Sequence, residues 1–438
     1  MLKIALVSDH ASPLAAPGSV DCGGQNVYVA HLAIELARLG YEVDVFTRRD
    51  SPMQKEVVRW RDNIRIIHVT AGPPRTIPKE QILPYMSAFA RFMIDFAREQ
   101  TSAYDLVHAN FFMSGLVAQQ VKQALGLPYV ITFHALGLVR RLSQGAADNF
   151  PAERIEMEKL LMQEADCVIA ECPQDRLDME RHYGALRRNI EIVPCGFDPH
   201  ELRPMRNDAR RQLGLGRDEF IALQLGRMVP RKGVDNVIES LAVLRDQHNI
   251  RARLLVVGGE APNGRLQDCP ELARLMALVS TLGLHQQVDF IGQKAREELS
   301  AYYSAANVFV TTPWYEPFGI TPLEAMACAT PVIGSAVGGI KTTVLEGRTG
   351  YLVPPKNAEA LADRLALLHG DPAHARQLGE AGCRRAHQFY TWRSVAERIA
   401  AIYERRAART IALTSSAGMP TAIPATALVQ NFNSLRET

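Results

Sequence analysis

The stretch Thr312-Pro313-Trp314-Tyr315-Glu316-Pro317-Phe318-Gly319-Ile320-Thr321-Pro322-Leu323-Glu324 follows the apolar run Val308-Phe309-Val310-Thr311 and leads into small and apolar residues at helical spacing. It reads as strand, exposed loop, glycine turn and helix, the unit from which doubly wound α/β sheets are built. Two carboxylates, Glu316 and Glu324, stand on either side of the turn. A helix N-terminus offers unpaired backbone N–H groups and partial positive charge, which suits a diphosphate. A carboxylate on each side can accept hydrogen bonds from sugar hydroxyls. A plainer reading makes Thr321-Pro322-Leu323-Glu324 a capping box with proline at the first helical position. That reading accounts for Glu324 and leaves Glu316 and its loop unexplained.

Working outward, short apolar runs at 4–7, 42–46, 106–109 and 129–133 alternate with amphipathic stretches at 26–39, 84–98 and up to 125. The pattern restarts after Ile190-Glu191-Ile192-Val193-Pro194-Cys195-Gly196-Phe197-Asp198-Pro199, with strand-like runs at 220–225, 253–257, 288–291, 308–311 and 331–334. The expected fold is therefore α/β, with two doubly wound parallel sheets whose ligands lie at the carboxyl ends of the strands. Residues 1–200 form one expected domain and 201–387 the other, with an amphipathic helix inside 388–409. From 410 to 435 there is no charged residue, and Pro420 and Pro424 interrupt any helix, so 410–438 is expected to be a disordered tail.

Composition narrows the function. A chain of 438 residues suits two cores, of roughly 200 residues each. Its 49 basic and 47 acidic residues nearly cancel, which argues against a dedicated nucleic-acid binder. The seven cysteines, at 22, 167, 172, 195, 269, 328 and 383, form no Cys-x2-Cys pair and read as reduced cytoplasmic thiols. No His-Glu-x-x-His, EF-hand or Cys/His cluster occurs, so no metal is expected. The first apolar run is too short for a signal peptide, and none is long enough to span a membrane. Basic clusters at 181–188, 203–211 and 405–409 leave peripheral membrane contact open, and a homodimer is equally open.

Three further constellations carry chemistry. Val20-Asp21-Cys22-Gly23-Gly24-Gln25-Asn26-Val27-Tyr28-Val29 is a Gly-Gly turn feeding a helix, which lets a backbone approach a phosphate or sugar closely. It is not the Gly-x-Gly-x-x-Gly dinucleotide fingerprint, which weakens a hydride-transfer reading. Leu225-Gly226-Arg227-Met228-Val229-Pro230-Arg231-Lys232-Gly233 follows the first strand of the second domain. Two cations there, Arg227 and Lys232, could stabilise charge growing on a departing diphosphate, whereas Arg231 is expected to face solvent. His134 ends the run Tyr129-Val130-Ile131-Thr132-Phe133, where a lone histidine is commonly just a satisfied polar residue.

Glu316 and Glu324 resemble the Glu-x7-Glu signature of the family 4 retaining glycosyltransferases, and Gly23-Gly24-Gln25-Asn26-Val27-Tyr28-Val29 resembles the sucrose-phosphate synthase and inositol-phosphate branch of that family. The resemblance implies a GT-B fold, two facing Rossmann-like domains with a nucleotide-sugar cleft between them and a last helix crossing back to the first domain. It implies a hexosyl group moved from a nucleoside-diphosphate sugar, UDP-linked, to a small phosphorylated sugar or polyol, with no cofactor. It places Arg227 and Lys232 on the diphosphate, Glu316 on the transferred sugar, Glu324 on the ribose and His134 beside the donor sugar. Gly23, Gly24, Phe318, Gly319 and Ile320 would face the phosphates, Gly292 and Gln293 the base, and Asn26 the acceptor. Gly338-Gly339 could flank the phosphates or form a structural turn. In that branch Lys, Tyr, Thr and Arg hold an acceptor phosphate. Lys79 and Arg154 match two of these, while Phe111 and Ala135 stand where the Tyr and Thr would be. The alternatives are a transferase acting on lipid-linked or polysaccharide acceptors, and a nucleotide-sugar-binding regulator without turnover. Phosphorylase chemistry would need a pyridoxal-phosphate lysine, for which no recognisable site exists.

Overall fold

The computed structural model describes residues 2–15, 23–145, 149–259 and 269–416. Cys22 and positions 417–438 of the expected tail lie outside them. The first half runs β1 (Lys3–Val7), α1 (Gly24–Arg38), β2 (Glu42–Arg48), β3 (Val57–Arg61), β4 (Ile64–Val69), α2 (Met86–Glu99), β5 (Leu106–Asn110), α3 (Phe112–Leu125), β6 (Tyr129–Thr132), α4 (Gly137–Gln144), α5 (Arg154–Glu164), β7 (Cys167–Ala170), α6 (Pro173–Tyr183) and β8 (Ile190–Ile192). The second runs α7 (Arg206–Gln212), β9 (Ile221–Leu225), α8 (Val234–His248), β10 (Arg253–Val257), α9 (Pro270–Thr281), β11 (Val288–Gly292), α10 (Arg296–Ala305), β12 (Val308–Thr311), α11 (Ile320–Ala327), β13 (Val332–Ser335), α12 (Ile340–Thr343), β14 (Gly350–Val353), α13 (Ala358–Gly370), α14 (Pro372–Phe389) and α15 (Trp392–Ser416).

Two sheets result, ordered β3-β4-β2-β1-β5-β6-β7-β8 and β11-β10-β9-β12-β13-β14. Every pairing is parallel except that of the edge strand β3 with β4. Strands β1, β5, β6 and β12 are buried along their whole length, as expected of parallel strands covered by helices on both faces. β3 differs: its residues alternate between exposed and half-buried, the pattern of an edge. In the first sheet the winding reverses between β1 and β5, and in the second between β9 and β12. Loops leaving neighbouring strands diverge at such reversals, which opens a crevice at the carboxyl ends of the strands.

The chain leaves the first sheet after β8 and returns to the first domain through α15. At the crossing Phe197 N–H donates to Tyr390 O at 2.9 Å and Trp392 N–H to Phe197 O at 3.0 Å. Beyond it, Tyr403 OH meets His108 Nδ1 at 2.6 Å, and Tyr41 OH donates to Glu404 at 2.8 Å. The helix runs to Ser416, so 410–416, expected as tail, are helical. The stretch 410–416 contains no proline or glycine, and the two prolines that argued for disorder lie further on.

Trp392, 2% exposed, stacks on His31 with rings 5.3 Å apart and meets Tyr28 edge-on, so its indole packs the crossing helix against α1 of the first domain. Trp392→Ala should lower stability by about 3–5 kcal/mol, read as a shift of the urea unfolding midpoint. A midpoint within error of the parent would show that the crossing is held elsewhere.

Candidate active site

The carboxyl ends of the two sheets enclose a cleft of about 670 Å³, walled by the Gly23–Gly24 turn, the loops after β5 and β6, the β9 loop and the start of α11. An adjoining pocket of about 550 Å³ is lined by His31, Arg227, Met228, Gly258, Gly259, Gln293, Lys294 and Arg296 among others.

The β9 and β12 loops meet at Gly233. It has φ +66, and a Cβ there would lie 2.1 Å from Thr312 O. Only glycine allows that approach, and it brings Lys232 against Glu316. Lys232 Nζ is ion-paired with Glu316 Oε2, while Arg231 Nη1 stands 3.6 Å from the same oxygen and donates to Tyr315 O at 3.0 Å. Arg231, expected to face solvent, is thus part of the site, because the turn after β9 folds its side chain back onto the Glu316 loop. Arg227 lines both cavities. Burial would raise the Glu316 pKa, but Lys232, Arg231 and Arg227 outweigh it and hold the carboxyl below its usual value. Burial and the two arginines lower the Lys232 pKa against the pull of Glu316. Three cations against one carboxylate leave the cleft floor positive, as an anionic ligand requires.

Behind this loop, Gly338 has φ +45, and a Cβ on it would lie 1.8 Å from Glu316 O. Gly339 N–H donates to Pro317 O at 2.9 Å. Gly338-Gly339 is therefore a brace for the Glu316 loop, the structural turn of the two alternatives.

α11 begins at Ile320 with Gly319 as its N-cap, so Thr321 is not a cap residue and the capping-box reading fails. Phe318, Gly319, Ile320 and Thr321 line the cleft. Across it stands the N-terminus of α1: the Cβ position of Gly24 is 3.4 Å from Ile320 Cδ1, and Gly23 faces open space. Two helix N-termini thus converge on one cavity, with their unpaired N–H groups and positive ends. Asn26 lines the cleft but is committed to the turn: its Oδ1 accepts from Gly23 N–H at 3.0 Å and its Nδ2 donates to Ser12 O at 3.0 Å. Both ends of the amide thus hold the loop, and Asn26 keeps its place in the cleft wall.

His134 has φ +58 and Phe111 φ +84, left-handed conformations uncommon for side-chain-bearing residues and concentrated where backbone is shaped for a ligand. Both line the cleft. His134 Nδ1 is 2.9 Å from Glu171 Oε1 and Nε2 3.1 Å from Asn110 Oδ1, so both ring nitrogens face oxygen acceptors within the protein. The ring is clamped and is not offered as a base. Glu171 also accepts from Cys195 Sγ at 3.3 Å, and its own N–H donates to Asp175 Oδ2 at 3.0 Å. Burial, with the Glu171 charge added, pushes the Asp175 carboxyl up to about 8, so at neutral pH Asp175 is mostly protonated.

Lys79 reaches the cleft; Arg154 does not. Arg154 is 1% exposed, bonded through Nε to Glu158 at 2.7 Å and through Nη2 to Ala135 O at 2.5 Å. Its guanidinium lies 4.7 to 4.8 Å from the rings of Phe111, Phe112 and Phe150. An aromatic cage and a buried carboxylate hold this cation inside the wall, with Nη1 buried and without a hydrogen-bond partner among the described residues, so the expected acceptor role of Arg154 is corrected to a structural one. The cations at this mouth are Lys79 and Arg140, with His10 and Ser143 beside them. Sequence reading missed Arg140, His10 and Glu171; the helical spacing of 137–144 was the signal that could have turned Arg140 inward.

Gln293 and Lys294 line the adjoining pocket, and Gly292, with φ +77, turns the chain into them without lining it. Glu324 is 3% exposed and lines neither cavity. Its Oε1 accepts from Arg296 Nη1 at 2.9 Å and its Oε2 from Tyr303 OH at 2.7 Å. Among the described residues one ligand-type cluster, His31, Asp198 and Glu201, gathers within 4.8 Å. Arg296 Nε already takes Glu201 at 2.7 Å, so a guanidinium holds the carboxylate a metal would need. The six cysteines among the described residues are free, and no described helix is long and apolar enough to cross a membrane.

The family models "Glycosyltransferase Family 4" and "Glycosyl transferases group 1" match residues 22–201 and 205–385. The chain is 37% identical to a D-inositol 3-phosphate glycosyltransferase of Kineococcus radiotolerans, over 92% of this chain and 95% of that protein. To another of that name from Streptomyces avermitilis it is 34% identical, over 92% and 87%. Among solved structures it matches a sucrose-phosphate synthase from Thermosynechococcus elongatus with a TM-score of 0.84 and 37% identity, covering 93% of this chain and all of that one. The Anabaena protein HepE in complex with UDP-glucose shares the fold, at a TM-score of 0.73 and 22% identity, with 92% and 100% covered.

The Asp175 proton gives the site a pH signature. Its carboxyl titrates near 8 when folded and near 3.8 when unfolded, so its contribution to stability is intact below 3.8 and is lost as pH rises toward 8. Asp175→Asn removes that loss. The melting temperature of the variant relative to the parent should therefore climb between pH 5 and pH 9; a flat difference across that range would contradict the assignment.

Proposed function

The chain belongs to the family 4 glycosyltransferases, and from that premise we propose that it moves a hexosyl group, with retention, from UDP-hexose to a small phosphorylated sugar or polyol. The observation that carries the reading is the ion-paired Lys232 and Glu316 with Arg227 and Arg231, set where two helix N-termini converge. The diphosphate lies among the three cations and the N–H groups at the start of α11. As the bond from sugar C1 to the phosphate oxygen breaks, negative charge grows on that oxygen and the cations stabilise it. Glu316, kept ionised by its neighbours, accepts hydrogen bonds from the hexose hydroxyls.

His134 is held at both nitrogens, which supports a front-face course. The acceptor hydroxyl attacks C1 on the side from which the phosphate departs, the new C1–O bond forms as the old one breaks, and the hydroxyl proton passes to the departing phosphate oxygen. The pocket beyond, with Gln293, Lys294 and Arg296, takes the nucleoside. UDP is favoured by the UDP and UDP-glucose complexes of the HepE neighbour. A phosphorylated acceptor is favoured by the names of the relatives and by Lys79 and Arg140 at the mouth of the cleft, two cations that could hold a phosphate by charge-assisted bonds. Inositol phosphate itself is disfavoured, since Phe111 and Ala135 replace two hydrogen-bonding groups and Arg154 is buried.

Release of nucleotide should require one donor and one phosphorylated acceptor when UDP-glucose, UDP-GlcNAc, GDP-mannose and ADP-glucose are crossed with fructose 6-phosphate, inositol 1-phosphate and their unphosphorylated counterparts. Binding of UDP with no release from any pair would overturn the small-acceptor reading. Arg227→Ala and Lys232→Ala should each lower turnover by roughly a hundredfold or more, and near-parent turnover in both would remove them from the mechanism. Lys79→Ala and Arg140→Ala should raise the acceptor KM about tenfold, the effect of losing one charge-assisted bond, with the donor KM unchanged. An equal rise in both KM values would reject the acceptor role.

A further inference from the structure

Lys356 stands in the turn Pro354-Pro355-Lys356-Asn357 between β14 and α13. Its φ is +56, a left-handed conformation that costs a side-chain-bearing residue energy and persists where the surroundings fix it. Of the six non-glycine residues with positive φ among those described, two are asparagines, which adopt it readily, and Phe111 and His134 line the cleft. What fixes Lys356 is local: Pro354 and Pro355 hold their own φ, and Asn357 caps α13, its Oδ1 accepting from Ala360 N–H at 2.8 Å. β14 is two strands from β12 and parallel to it, so the turns after both leave the same end of the sheet. There the ammonium reaches the Glu316 loop: Nζ lies 3.9 Å from the centroid of the Trp314 ring. It makes no ion pair or hydrogen bond among the described residues, so the indole is its partner.

We propose that Lys356 is a positioning residue for the transfer: it clamps Trp314 by a cation–π contact and through it holds Glu316 in place. Trp314 lines the cleft and also a neighbouring cavity of about 260 Å³, so its side chain is a wall shared by two open spaces. Its Nε1 is buried and bonds to no protein atom among the described residues, so no hydrogen bond of its own fixes the ring. The backbone carries the hold from Trp314 to the site. Trp314 N–H donates to Arg231 O at 3.2 Å, Arg231 Nη1 donates to Tyr315 O at 3.0 Å, and Arg231 and Lys232 both meet Glu316. Gly233 packs against Thr312 and Gly338 against Glu316 O, so the loop is fixed through its backbone on either side of Trp314. Lys356 adds the contact to the side chain between them. Glycine would adopt this φ without strain, whereas lysine accepts the strain and gains the indole. The effect on turnover rests on the glycosyl-transfer reading of the cleft; the clamp itself does not.

Three variants of the full chain test it. Lys356→Met removes the charge, Lys356→Arg keeps it, and Lys356→Gly removes both the side chain and the strain. With the donor and acceptor pair that gives most nucleotide release, Lys356→Met and Lys356→Gly should lower kcat about two- to fivefold, the size of one exposed cation–π contact, with the donor KM within about twofold. Lys356→Arg should restore most of the rate. The melting temperature of Lys356→Gly should equal or exceed the parent's, because the strained residue is gone, so turnover lost there is not folding lost. Hydrogen exchange over residues 312–318 needs no substrate. It should quicken about threefold or more in Lys356→Met and Lys356→Gly and stay near the parent's in Lys356→Arg. Exchange and kcat within error of the parent in Lys356→Met would overturn the proposal, as would a loss that Lys356→Arg fails to restore. Faster exchange in the variants of a chain that releases no nucleotide from any pair would overturn the proposed function and leave the clamp of Trp314 standing.

Discussion

The contact on which the site depends is the one between the β9 and β12 loops, where Gly233 lies flat against Thr312. β9 and β12 are neighbours at the point where the winding of their sheet reverses, so their loops leave in opposite senses and would otherwise splay. Glycine at 233, with no Cβ to strike Thr312 O, lets them close at one point. Closure there places a lysine and a glutamate, 84 residues apart in sequence, in one ion pair. Gly338 makes the same kind of contact from behind, against Glu316 O, so the carboxylate loop is fixed on two sides.

Desolvation sets what that pair can do. An isolated buried carboxylate would take up a proton, and an isolated buried lysine would lose one. Held together with Arg227 and Arg231, the glutamate stays ionised and the group keeps an excess of positive charge. The residual positive field meets the positive ends of α1 and α11, and all of it is aimed at one volume. On the proposed function a diphosphate relieves this arrangement, and relief is greatest when its charge is greatest, as the glycosidic bond breaks.

Much of this was legible from sequence, for a definable reason. Strands β1, β2, β5, β6, β9, β10, β11 and β12 are apolar runs bounded by amphipathic stretches, and such alternation admits few folds. The Gly-Gly turn and the two glutamates were legible because their chemistry is local to the backbone around them. β3 was not, being an edge whose half-exposed residues carry no core pattern. Direction of side chains was also hidden: Arg154 looked like a ligand-binding cation and proved to be caged by three phenylalanines, while Arg140, on the neighbouring α4, lines the cleft. Which of two arginines faces a cavity is decided by tertiary packing: helical spacing gives Arg140 a face on α4, and the packing of α4 and α5 decides what that face meets.

The same limit explains Glu324. Read locally, its place in the first turn of a helix made it either a cap or a direct ribose ligand. In the fold it turns away from its own helix terminus toward Tyr303 and Arg296, both on α10. A carboxylate so placed gains definition at the expense of exposure, because each oxygen is fixed by a donor and the guanidinium stands between it and the pocket. Arg296 and Glu324 therefore form one ion pair at the edge of that pocket. The pair is anchored through Glu201 to the segment that joins the domains, and Glu201 lies within 4.0 Å of His31, which stacks on Trp392. The ion pair at the adjoining pocket and the groups that hold the crossing helix are therefore parts of one packed chain of contacts.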